Sequence, residues 1–115
     1  EGLGVLELTD GEQAVTGELT TLPAPGHTPG HTGVLISSQG ERGVILGDAA
    51  HHPAQAQETD WSPRADTDPD LSRVTRRQLM DRIERERAVA ASGHFPTPGF
   101  GRLVRLKGRR YWQAL

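Results

Sequence analysis

Cysteine is absent from this 115-residue sequence, and aromatic side chains are scarce: two tryptophans, two phenylalanines and one tyrosine. Without a thiol there is no disulfide, and any zinc site has to be built from histidine and carboxylate. No segment approaches the roughly 20 consecutive apolar residues that span a bilayer, so no membrane partner is expected. No basic stretch followed by an apolar one opens the chain, so no retained secretory signal is expected. The lack of thiols is compatible with the cytoplasm, which is the expected location. Methionine occurs once, at Met80, and the chain starts at Glu1; it is expected to be processed, trimmed or part of something longer. The formal net charge is only −2, which gives no overall pull towards nucleic acid.

What is present suits one small domain. A chain of this length buries roughly two-thirds of the surface it exposes when unfolded. The hydrophobic share is 34%, and counting the 14 glycines raises it to about 46%, within the ordinary globular range.

The first third reads as short strands. Val5-Leu6-Glu7-Leu8 ends at the turn signal Asp10-Gly11, and a second run extends from Ala14 to Leu22. Pro23, Pro25, Gly26, Pro29 and Gly30 then exclude regular structure. Gly33 to Ile36 and Gly43 to Leu46 are apolar and β-branched, as buried strands are, with the polar turn Ser37 to Arg42 between them. Residues 49–67 are irregular and polar, long for a loop in a compact domain.

Asp68-Pro69-Asp70 is a helix start: a side-chain acceptor, a first residue with helical φ, and a carboxylate near the positive helix end. The helix is expected from about Pro69 to Ala91, ended by Gly93. Its buried stripe is expected to be Leu71, Val74, Leu79, Ile83 and Val89, with Arg73, Arg76, Arg77, Arg82, Arg85 and Arg87 in water. Leu103 to Lys107 forms a last strand, followed by Tyr111-Trp112. Arg102, Arg105, Lys107, Arg109 and Arg110 around those aromatics have the look of a single-strand grip. They are expected instead to be the solvated face of that strand, balanced by the acidic loop from Glu58 to Asp70. No nucleic-acid partner is expected. The pattern is α/β, with strands on both sides of one helix.

Three places put metal-capable side chains at the ends of these elements. In Pro25-Gly26-His27-Thr28-Pro29-Gly30-His31, proline and glycine fix the backbone so that an imidazole can be aimed without mobility. In Ile45-Leu46-Gly47-Asp48 a carboxylate follows a buried strand, where α/β proteins place their sites. In Ser92-Gly93-His94-Phe95-Pro96 a histidine sits in a turn. Each alone is also what a surface histidine or a capping aspartate looks like. The three in this order, in a chain without cysteine, point to a metal site.

Pro25-Gly26-His27-Thr28-Pro29-Gly30-His31, Gly47-Asp48-Ala49 and Gly93-His94 together resemble the second half of the motif set of the metallo-β-lactamase superfamily. Asp48-Ala49-Ala50-His51-His52-Pro53, Trp61, the Arg76-Arg77 helix and His94-Phe95-Pro96 with Pro98-Gly99-Phe100-Gly101 are similar to one branch of it. That branch contains methyl parathion hydrolase and some acyl-homoserine-lactone lactonases. The likeness runs from about Pro23 to Trp112.

The resemblance implies that His27 binds one metal, that His94 binds a second, and that Asp48 bridges both and is the catalytic carboxylate. It implies two Zn2+ per complete site, with manganese, iron or cobalt as alternatives. A metal-bound hydroxide would attack an ester, a lactone or a phosphoester. His31 matches the motif as a brace for the loop. His51 and His52 are either extra ligands or proton donors, or histidines that support the loop. Trp61, Phe95 and Phe100 either line an apolar substrate pocket or belong to the core.

The superfamily's His-x-His-x-Asp-His signature is not in the sequence, and no pair of histidines has His-x-His spacing. The resemblance therefore implies the C-terminal half of an αββα sandwich, incomplete on its own, with residues 1–115 as one partial domain. Its expected partners are a small-molecule substrate and either the missing N-terminal half, a partner chain, or a second copy in a homodimer. The parent is expected to be an enzyme. Taken alone, the chain is also readable as a non-catalytic fragment or interaction module.

Overall fold

The computed structural model describes residues 2–115. Six strands form one sheet in chain order: β1 Leu19–Pro23, β2 Thr32–Ser38, β3 Glu41–Ile45, β4 Val89–Ala91, β5 Phe100–Leu106 and β6 Arg109–Ala114. Neighbours are antiparallel except β3 and β4, which run parallel with Ile45 opposite Ala91. A parallel pair needs a long crossover. Here it carries two short 3-10 turns, Gly47–Ala49 and Pro53–Ala56, and one helix, α1, Pro69–Glu86. Leu79, Met80 and Ile83 of α1 join Leu22, Leu35, Val44 and Ala90 of the sheet in a single buried cluster. One helix on one mixed sheet is the α/β half-sandwich that the sequence implied.

Two hairpins have the turn chemistry that strand twist demands. Gln39-Gly40 (φ 51° and 81°) joins β2 to β3, and Lys107-Gly108 (φ 51° and 78°) joins β5 to β6. Positive φ at both central residues is the turn that matches right-handed strands. The segment expected to be one last strand is thus a hairpin. Trp112 on β6 packs against the core, and Phe95 meets it edge-on at 4.8 Å between ring centroids.

Four expectations are corrected. Residues 5–8 form no strand; Val5 and Leu8 stand exposed beside the domain, because a lone apolar run with no partner strand has nothing to pair with. The strand expected over Ala14 to Leu22 is confined to Leu19–Pro23, with a single bridge from Ala14 to Thr20. The helix ends at Glu86 rather than Ala91, with Arg87 left-handed at φ 53° and its N–H bonded to the Glu84 carbonyl. A non-glycine residue there costs about 1–2 kcal/mol. The offset is the pairing of Val89–Ala91 with β3, which places Ala88 and Ala90 in the core.

The fourth correction concerns the helix faces. The buried face of α1 is Ser72, Thr75, Arg76, Leu79, Met80 and Ile83, whereas Leu71 and Val74 are exposed. Arg76, expected in water, is 0% exposed. The N-terminal half of this face lies against loop backbone rather than the apolar sheet, so polar side chains serve it better. Arg105 and Arg110, from the basic cluster, bind Glu84 of α1, and Arg110 also binds Asp81. Their acidic counterpart is the helix. Only Arg109 reaches the expected loop, 3.8 Å from Glu58.

The loop between β1 and β2 is clamped to the start of α1. The Asp68 N–H donates to the Gly26 carbonyl at 2.9 Å, the Thr67 N–H to the His27 carbonyl at 3.0 Å, and the Thr75 hydroxyl to the Pro25 carbonyl at 2.6 Å. Gly26, at φ 136°, lies so close to α1 that an added Cβ would stand 2.5 Å from the backbone of Ser72. Gly26→Ala is therefore expected to lower stability by about 1–3 kcal/mol through overpacking, read as a lower midpoint in urea denaturation. An unchanged midpoint would show that the loop is free to lift off the helix.

Candidate metal centre

The sheet brings the three motif residues to one edge. β3 and β4 are parallel, so both end there, and Asp48 and His94 each follow their paired strand residues, Ile45 and Ala91, by three positions. β2 runs antiparallel to β3, so the loop that precedes it opens at the same edge and delivers His27. The ends of parallel strands are where open α/β sheets place their sites. The Ser92 hydroxyl donates to the Ala50 carbonyl at 3.0 Å and holds the His94 turn to the Asp48 turn.

Asp48 stands between two imidazoles. Its Oδ2 is 3.2 Å from His27 Nε2, and its Oδ1 is 3.0 Å from His94 Nε2. The His27 side chain is 15% exposed, Asp48 42% and His94 51%. His51 completes the group. Its ring is 5.0 Å from that of His27 and 4.7 Å from that of His94, and one ligand atom each from His27, Asp48 and His51 lie within 4.8 Å of one another. His51 Nδ1 is buried and has no hydrogen-bond partner among the described residues. Burial, then the neighbouring His94 and His27, hold the His51 imidazole below its ordinary pKa, with Asp48 opposing. The neutral form, with a lone pair to offer, is favoured.

His31 is a brace in this structure. Its Nδ1 faces the Ala24 carbonyl at 3.0 Å, and its Nε2 accepts the Asp48 backbone N–H at 2.9 Å. An N–H donated to a carbonyl and a lone pair facing an N–H define one neutral tautomer. Gly47 (φ 54°) makes this contact possible, since a Cβ there would stand 2.7 Å from His31 Nε2. His52 lies outside the cluster and accepts from the Ala54 N–H at 3.1 Å, capping the second 3-10 turn. Phe95 is core, at 6% exposed. Trp61 and Phe100 are both exposed, and Phe100 pairs with Ala91 at the start of β5, beside the His94 turn.

Sequence reasoning missed two residues behind His27. Asp66 Oδ1 lies 3.1 Å from His27 Nδ1, and Asp66 Oδ2 lies 3.3 Å from Arg76 Nη2; both Asp66 and Arg76 side chains are 0% exposed. Burial alone would raise the Asp66 pKa. Hydrogen bonds from His27, Ser72 and Ser62, with the Arg76 charge, outweigh it and hold the carboxyl below the usual range. One signal was available: Arg76 falls three and seven residues before Leu79 and Ile83, on the buried stripe, and a buried guanidinium requires a carboxylate.

The metallo-beta-lactamase superfamily model matches residues 2–104. An N-acyl homoserine lactonase of Bacillus thuringiensis is 27% identical over 88 residues, which are 76% of this chain and 35% of the relative. The solved structure of AidC, a dizinc quorum-quenching lactonase in complex with a product, superposes with a TM-score of 0.84 at 27% identity, covering 95% of this chain and 37% of that one. The hydrolase AbOPH, of the beta lactamase superfamily, gives 0.80 at 25% identity, over 94% of this chain and 36% of its own. The chain spans about a third of the length of the relatives it matches. With the sheet, the edge site and the family match in agreement, this chain belongs to the metallo-β-lactamase superfamily.

Proposed function

We propose that this chain supplies His27, Asp48 and His94 to a dinuclear metal site, and that the assembled enzyme hydrolyses lactones or related esters. One observation carries the reading: each oxygen of Asp48 faces the Nε2 of a different histidine, at 3.2 Å and 3.0 Å. With Asp66 accepting from His27 Nδ1–H, the ring would turn the lone pair of Nε2 towards Asp48. Two acceptors at that distance repel unless a positive charge lies between them. A tetrahedral zinc with ligands at about 2.0–2.2 Å sets two ligand atoms about 3.4 Å apart, close to what the site shows. The donor set of imidazole and carboxylate suits zinc, so the residues fit the metal that the family implies.

When bound, a divalent metal would supply hydroxide near neutral pH and Lewis acidity towards a carbonyl. The chain's own residues hold and orient. His27 and His94 would each hold one ion, and Asp48 would hold both. His31 holds the backbone of Asp48, so that the bridging oxygens keep their direction. The preference for lactones rests on the similarity to the homoserine lactonases. Phe100, exposed beside the His94 turn, offers apolar surface to an acyl chain.

A second reading is favoured by the absence of any His-x-His pair in the sequence: a non-catalytic fragment or interaction module. Assaying lactone opening and zinc content with and without a His-x-His-x-Asp-His half separates the two readings. Activity and stoichiometric zinc only in the assembled protein support the proposal, and no activity in either form refutes it.

In the assembled protein, Asp48→Ala is expected to deplete both ions. It should cost more activity than the 10–100-fold typical of losing an outer partner of a metal ligand. Full zinc content with an undiminished rate would exclude the bridging role. His31→Ala removes the acceptor for the Asp48 N–H. It is expected to speed amide hydrogen exchange at Asp48 and to weaken zinc binding by about 10–100-fold. Unchanged exchange would mean that the brace is dispensable.

A further inference from the structure

His27 can present a lone pair on Nε2 only while its proton sits on Nδ1, and the surroundings of Asp66 bear on which nitrogen holds it. Arg76 is enclosed by acceptors. Its Nε donates to the Ala49 carbonyl at 2.8 Å, its Nη1 to the Thr59 and Trp61 carbonyls at 2.8 Å, and its Nη2 to Asp66 Oδ2 at 3.3 Å. Guanidinium has donors only, so the atom of residue 66 that meets Nη2 has to be an oxygen. The other oxygen of Asp66 is then left for His27 Nδ1, 3.1 Å away, and a carboxylate oxygen accepts.

We propose that Asp66 and Arg76 are positioning residues that select the Nδ1–H tautomer of His27 and so aim its Nε2 lone pair at Asp48. The same guanidinium holds the carbonyl of Ala49, next to Asp48 in the chain, so one buried cation orients both segments. The pair does not touch the reacting atoms. Metal ligands with a buried hydrogen-bond partner have their ring orientation and tautomer fixed in this way. That selecting this tautomer serves metal binding rests on the reading of His27 as a ligand; the tautomer itself rests on the buried Asp66 oxygen, 3.1 Å from Nδ1, outcompeting the half-exposed Asp48 oxygen, 3.2 Å from Nε2.

The isosteric substitution Asp66→Asn gives an asymmetric outcome that a merely structural role would not. An amide has one oxygen, and Arg76 demands it. The NH2 group then faces His27 Nδ1, which has to accept, so the proton moves to Nε2. Nitrogen-15 spectra of the histidine rings, taken on the full chain with chelator in alkaline buffer, read the tautomer without metal or substrate. The expected result is Nδ1–H for His27 in the parent and Nε2–H in Asp66→Asn, with zinc affinity lower by about 10–100-fold in the variant.

If Asp66→Asn does not fold, Asp66→Ala leaves Arg76 on the carbonyls of Ala49, Thr59 and Trp61 and removes only the acceptor at His27 Nδ1. His27 should then lose its preference for Nδ1–H. A folded variant of either kind that keeps Nδ1–H overturns the proposal, as does a parent already in the Nε2–H form. A parent that shows Nδ1–H but binds no zinc even when assembled refutes the metal reading and leaves the tautomer selection standing.

Discussion

The guanidinium of Arg76 is the point on which the crossover between β3 and β4 depends. It is 0% exposed and holds five oxygens from a segment with little regular structure: the carbonyls of Ala49, Thr59 and Trp61, the hydroxyl of Ser62 and the carboxylate of Asp66. A long irregular loop in a small domain otherwise leaves buried carbonyls unpaired, each at a cost comparable to a lost hydrogen bond. Burial lowers the pKa of Arg76, and Asp66 opposes that shift. An isolated buried charge would be prohibitive, and removing one partner of such a pair typically costs about 3–5 kcal/mol. The pair is better understood as what gives residues 49–66 one conformation than as a source of net stability.

That conformation matters because the sheet by itself delivers only part of the site. Strand register puts Asp48 and His94 three residues beyond a parallel pair, and the antiparallel neighbour brings the His27 loop to the same edge. Register sets where these loops begin. It does not set where their side chains point. Direction comes from contacts made outside the sheet: His31 on the Asp48 N–H, Ser92 on the Ala50 carbonyl, Asp66 on His27, and the helix start on the carbonyls of Gly26 and His27. Three of these four contacts join segments more than 30 residues apart, so the site forms only once helix and sheet have docked.

This division also explains what the sequence made legible. His27, Asp48 and His94 could be found because glycine and proline mark their turns, and because the motifs are local in the chain. The strands from Thr32 to Ile45 could be found because they are short, β-branched and broken by Gln39-Gly40. The end of α1 was hidden because Arg87 adopts the left-handed conformation that glycine usually takes, and Val89-Ala90-Ala91 has a composition that suits either helix or strand. Only pairing with β3 decides it. Asp66 was hidden for a similar reason: within Arg64-Ala65-Asp66-Thr67-Asp68 nothing local distinguishes a buried partner of His27 from a solvated loop carboxylate.

Two carboxylates near His27 therefore have opposite environments and suit opposite tasks. Asp66 is 0% exposed and saturated by donors, so neither oxygen is available to anything new. Asp48 is 42% exposed, and both of its oxygens face imidazoles that are themselves potential ligands. A carboxylate enclosed by donors is held rigid and can orient a neighbour, whereas one that faces imidazoles at an open edge has room for a cation. His27 lies between them, with one nitrogen turned to each. Under the proposed reading, the chain separates the group that aims from the group that binds, and a single ring carries the direction from the buried pair to the open edge.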